Sequence, residues 1–145
     1  MAFNTIPRPE HPNPQWERKN WKCLNGTWQF EIDHGASGQD RKLHHAESLS
    51  SEIVVPFCPE SSLSGVNNKD FMLCVWYKKA VSFTEEELAG NRVILHFGAV
   101  DYIADVWLDG QYLGGHEGGY TPFTFDVTDL TVPGGEYTLT VRAED

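Results

Sequence analysis

The segment Gly114-Gly115-His116-Glu117-Gly118-Gly119-Tyr120 gathers the residue types best suited to chemistry in this chain. Four glycines surround one imidazole, one carboxylate and one phenol. Glycine lets backbone approach a ligand closely, and Tyr120 offers a ring with a hydrogen-bonding tip. His116 and Glu117 are residue types used for proton transfer. With Asp101 upstream, these residues make a candidate loop facing a sugar or a neighbouring domain. The competing interpretation is a sharp bend between strands, with Tyr120 packed at the core edge. A phosphate cradle is excluded because no helix is predicted to follow.

Other acids are candidates for general acid–base work. Glu85, Glu86 and Glu87 fall at a predicted helix start, where negative charge meets the macrodipole favourably. Asp109 precedes Gly110 in a turn. Asp105, between Ala104 and Val106, is either a buried hydrogen-bonding acid or an outward residue, and no cleft partner for it is legible. His34, His44 and His45 share a polar loop with Asp33 and Asp40, yet their spacing matches no metal-ligand pattern. No acidic loop has calcium spacing. Trp16, Trp21 and Trp107 could stack on sugar rings or serve as core or interface residues. The chain is therefore expected to carry no catalytic, cofactor or metal residue of its own.

Composition narrows the classes. A formal charge of −10 with eleven Lys and Arg argues against nucleic acid and anionic membranes. Hydrophobic residues at 40%, with five Trp and eight Phe, exclude a disordered chain. The 145 residues fit one domain with one core. Cys23, Cys58 and Cys74 form no short pair and read as buried or half-buried thiols. No leader or membrane-length apolar run is legible, so a cytoplasmic setting is expected.

The elements that must position the candidate loop are strands. Pro7, Pro9, Pro12 and Pro14 mark residues 1–15 as an extended arm, leaving 16–145 as one domain. Alternation in Thr27-Trp28-Gln29-Phe30-Glu31-Ile32 predicts a half-buried strand. Further strands are expected over 52–56, 71–83, 92–98, 102–108, 111–113, 122–127 and 136–142. Residues 33–51 read as a surface loop with one helical turn. The 71–83 strand is apolar on both faces near its centre, which calls for cover on both sides by an outer loop, a second domain or a partner. Thr84 and Glu87 have capping-box spacing for a short connecting helix. Asp109-Gly110 predicts a two-residue hairpin. About eight short strands with regular turn signals give an all-β, antiparallel jelly-roll or galactose-binding-like sandwich.

Five segments in order resemble the N-terminal sugar-binding-type domain of family 2 glycoside hydrolases, the β-galactosidase and β-glucuronidase family. They are Arg8-Pro9-Glu10 with Leu24-Asn25-Gly26-Thr27-Trp28-Gln29-Phe30; Val54-Val55-Pro56 with Glu60; Val75-Trp76-Tyr77-Lys78-Lys79; His96-Phe97-Gly98-Ala99-Val100-Asp101-Tyr102; and His116-Glu117-Gly118-Gly119-Tyr120-Thr121-Pro122-Phe123. The resemblance implies a scaffold beside an active site carried by a (β/α)₈ barrel, after an immunoglobulin-like domain. Two barrel glutamates then act as acid/base and nucleophile with retention. It also implies a homo-oligomeric parent enzyme. The alternative from another class is a free-standing lectin-like module that binds carbohydrate itself.

Overall fold

The computed structural model describes residues 22–68, 72–88, 92–119 and 121–145. The expected arm over 1–15, Trp16, Trp21 and Tyr120 lie outside the described residues. Eight antiparallel strands are present among the described residues: β1 Gly26–Ile32, β2 Ser51–Val55, β3 Cys74–Ser82, β4 Ile94–Phe97, β5 Ile103–Leu108, β6 Gln111–Glu117, β7 Phe123–Asp126 and β8 Glu136–Glu144. Six pair in the order β2-β1-β3-β8-β5-β6, and β4 pairs with β7 as a separate sheet. The expected β-sandwich architecture is observed.

Local signals set several elements. Helix α1, Glu85–Leu88, starts with the reciprocal cap that its spacing demands. Thr84 N donates to Glu87 Oε1 and Glu87 N to Thr84 Oγ1, both at 3.2 Å. At the β5–β6 hairpin, Asp109 and Gly110 have φ of 51° and 78°, the left-handed values this turn requires.

The first core fills the space between the sheets. Phe30, Ile53, Val106 and Leu139 from the large sheet meet Leu95 and Val127. Tyr77 packs there too, and burial, followed by the neighbouring Glu60 and Cys58, pushes its hydroxyl up to about 12.

The second core lies on the outer face of the large sheet. There Cys74, Trp76 and Trp107 are buried beneath Leu43. Residues 33–50 cross this face as a lid containing the 3-10 turn Leu43–His45. The outer loop thus supplies the second cover that the two-faced β3 pattern required. The loop with one helical turn expected over 33–51 is present and doubles as this cover. Of the three thiols, Cys74 is buried, Cys23 half-buried and Cys58 exposed, so the expectation fails for Cys58. Burial pushes the Cys74 thiol up to about 11, which leaves it protonated and unreactive at neutral pH.

Asp33 fastens the root of the lid. Its carboxylate accepts Ser37 N at 2.9 Å, Gly38 N at 2.7 Å and Trp76 Nε1 at 3.1 Å. Burial raises the proton affinity of this group; the hydrogen bonds and the Arg41 charge outweigh it and hold the carboxyl below its ordinary value. Stability from Asp33 is thus present above about pH 4, the unfolded value, and lost as pH falls through the lower folded one. Replacing Asp33 by Asn is expected to flatten this acid limb in urea midpoints taken from about pH 5 to pH 3.

Strand β6 is longer than the expected 111–113 and absorbs Gly114 and Gly115 into the ladder opposite Val106 and Asp105. These two glycines form strand and not bend, a correction with a packing cause. A Cβ at Gly114, whose φ is 152°, would sit 2.8 Å from Phe125 Cε1 of the facing sheet. Gly114→Ala is expected to destabilise the chain by about 2 kcal/mol, through overpacking and an unfavourable φ, measurable by urea denaturation.

Candidate functional site

The predicted residues Asp101, His116 and Glu117 do meet, at one rim of the large sheet. Ile103 pairs with both Glu117 and Glu144, so β5 begins where β6 and β8 end. Beyond that rung, Tyr102 N donates to Glu144 O at 3.1 Å and Gly118 N to Tyr102 O at 2.9 Å. The Asp101–Tyr102 peptide is cis. A Cβ on Gly119 would fall 2.7 Å from Asp101 Oδ1, so glycine is what lets this carboxylate lie against the 118–119 backbone.

His116 is turned inward. Its ring stacks on Phe123 at 4.4 Å, and Phe123 stacks on Phe97 at 4.8 Å. Its Nε2 lies 3.3 Å from Thr121 Oγ1, while Nδ1 is buried with no hydrogen-bond partner among the described residues. The imidazole thereby ties the end of β6 to Thr121. What the rim presents outward is the carboxylates of Asp101 and Glu117 and the ring of Tyr102, which is 47% exposed. This surface can hydrogen-bond and stack, the two contacts a sugar or a polar protein surface accepts.

The remaining candidates take structural positions. Asp105 is the hydrogen-bonding acid of the two options. It accepts Tyr112 Oη at 2.7 Å and Arg142 Nη1 at 3.4 Å, and Arg142 Nη2 also donates to Glu144 at 2.6 Å. Asp109 Oδ1 caps Thr138 N at 2.7 Å. Trp107 is 5% exposed and stacked on Trp76 and His44, so it is a core ring and not a sugar platform. His34 is exposed, whereas His44 and His45 sit on the lid. Among the described residues no group of three His, Cys, Asp or Glu could hold a metal ion.

Sequence reasoning missed Lys78. It is 1% exposed, and its ammonium donates to Leu43 O at 2.8 Å and to Ala46 O. Burial lowers its proton affinity. The available signal was its register: Lys78 shares the outer face of β3 with Cys74 and Trp76, both buried.

The carboxyls of Asp33, Glu87 and Asp126 are shifted downward. A general acid needs the opposite shift.

The chain is 31% identical over 124 residues to a β-glucuronidase of Paenibacillus borealis, covering 83% of the chain and 20% of that protein. A β-galactosidase of Thermoanaerobacter pseudethanolicus is 39% identical over 61 residues, covering 42% of the chain and 8% of the relative. Among solved structures, Faecalibacterium prausnitzii β-glucuronidase superimposes with a TM-score of 0.72 at 34% identity, covering 85% of this chain and 20% of that one. The chain spans about a fifth of the length of the β-glucuronidases it matches. Residues 59–145, which carry β3 to β8 and the whole rim, match the family described as glycosyl hydrolase 2 galactose-binding domain-like, and the chain belongs to that family.

Proposed function

We propose that this chain is a non-catalytic, jelly-roll-type sandwich domain of a retaining β-glycosidase. Its rim would support and shield an active site built by a barrel domain beyond an immunoglobulin-like one, in a cytoplasmic homo-oligomer. The observation that carries the reading is the family match, in a chain that spans a fifth of its β-glucuronidase relatives. The β-glucuronidase matches run over about four-fifths of the chain, against 42% for the β-galactosidase, which supports a β-glucuronide as the parent substrate.

Rim geometry supports the silent role. Retaining hydrolysis needs two carboxyls about 5 Å apart across an enclosed sugar. Asp101 and Glu117 are exposed, and His116 is committed to its aromatic stack.

Exposed Tyr102 beside two carboxylates favours one other reading, a lectin-like module that binds sugar by itself. Calorimetry on the folded chain with mono- and oligosaccharides separates them. The scaffold role is expected to give no saturable heat at millimolar sugar, and saturable binding would replace it with the lectin.

A further inference from the structure

The lid over the outer face carries a feature that the scaffold role does not use. His44 and His45 are adjacent and in contact, with ring centroids 4.3 Å apart. His44 stacks on Trp107 at 5.3 Å with an interplanar angle of 24°. Its Nδ1 is buried with no hydrogen-bond partner among the described residues. Both rings border a cleft of about 310 Å³ that Lys78, Asp109, Gly110 and Thr138 also line. His45 lies directly against Gly110, where a side chain would collide with its ring. The imidazole pair is therefore wedged between lid and sheet, beside a buried ammonium.

We propose that the Lys42–Leu49 part of the lid is a pH-sensitive flap, which lifts from the sheet when His44 takes up a proton. The charges around His44 favour this outcome. From the lid come Lys42, His45 and Glu47; from β3 comes Lys78; from the β5–β6 hairpin comes Asp109; β8 contributes only the neutral Thr138, and Tyr112 lies on Trp107. Two of these groups, Lys42 and Lys78, are cationic. Neither carboxylate hydrogen-bonds to His44 among the described residues, and Asp109 Oδ1 is occupied by Thr138 N.

A proton on His44 would add a cation beside Lys78, whose ammonium holds the lid through Leu43 O and Ala46 O. Burial, then His45, Lys78 and Lys42, holds the docked His44 below 6.5. Lid docking is thus fully favoured above about pH 6.5, the solvated value, and weakens as pH falls through the lower docked one. The lid root stays in place over this range, because the Asp33 carboxylate remains ionised. Local opening without global unfolding is the consequence.

Hydrogen exchange on the chain tests the flap, with protection factors corrected for intrinsic rates at about pH 7.5 and about pH 5.5. The amides of Leu43 and Leu49 are hydrogen-bonded to acceptors outside the flap, Gly38 O and Gln29 Oε1 of β1, and report its opening. Their protection is expected to drop, by at most about tenfold, at the lower pH while β3 and β8 keep theirs. His44→Gln is expected to remove that difference. Equal protection at both pH values would overturn the proposal, as would a loss shared by β3 and β8 or a loss unchanged in H44Q. If H44Q does not fold, the proton NMR titration of His44 in the native chain decides: a midpoint below 6.5 is expected, and one at or above 6.5 contradicts the flap.

Discussion

Trp76→Ala is expected to destabilise the chain by about 4 kcal/mol, the range for removing a fully buried large aromatic side chain. Trp76 is 0% exposed and is the centre of the second core. Its ring stacks on Trp107 at 5.3 Å and 22°, and the Gly38 backbone lies so close that any Cβ there would collide with the indole. The substitution opens a cavity under the lid and takes one donor from the buried Asp33 carboxylate. Trp76→Phe separates the two contributions. It keeps a ring in the core and loses the donor with only part of the packed volume, at a cost of about 1–2 kcal/mol. Urea denaturation of the two variants beside the native chain measures both. Equal losses would show that packing under the lid contributes little.

Lys78→Met is expected to cost about 3 kcal/mol. Methionine fills a similar volume and removes a buried charge, which on its own favours the variant. The larger effect is opposite in sign: Leu43 O loses its donor while buried, and the half-buried Ala46 O loses its own. An orphaned buried carbonyl costs about 1–3 kcal/mol unless it reaches water. The lid can recover that solvation only by lifting, which uncovers Trp76, Trp107 and Cys74. The midpoint of urea unfolding is expected to fall, and exchange over residues 42–49 to accelerate more than in β3. A variant as stable as the native chain would mean that the carbonyls are solvated without Lys78.

What was legible in the sequence is what local rules decide. Period-2 alternation places β1, the Thr84 and Glu87 pair sets α1, and Asp109-Gly110 sets its hairpin, because each depends on neighbours within a few residues. The rim was legible as a group, since Asp101, His116 and Glu117 lie next to strand ends that pair with each other. The inward turn of His116 was not, because its stacking partner Phe123 belongs to the opposite sheet. Gly114 and Gly115 read as punctuation, yet Gly114 admits the Phe125 ring and Gly115 lies against Asp105 Oδ1 and Tyr112 Oη. An outer loop was legible as one possible cover for Cys74 and Trp76, but its fastening was not. Its apolar contacts, Ala36, Leu43, Ala46 and Leu49, follow no regular period, and Lys78 and Asp33 hold it through backbone groups.

Turnover of para-nitrophenyl β-D-glucuronide and β-D-galactoside by the purified, folded chain tests the silent-scaffold role most directly. The expected rate is that of the buffer blank, because Asp101 and Glu117 stand exposed on the rim whereas retaining hydrolysis needs two carboxyls about 5 Å apart across the sugar. Hydrolysis that co-elutes with the chain and falls when Asp101 or Glu117 is replaced would contradict it.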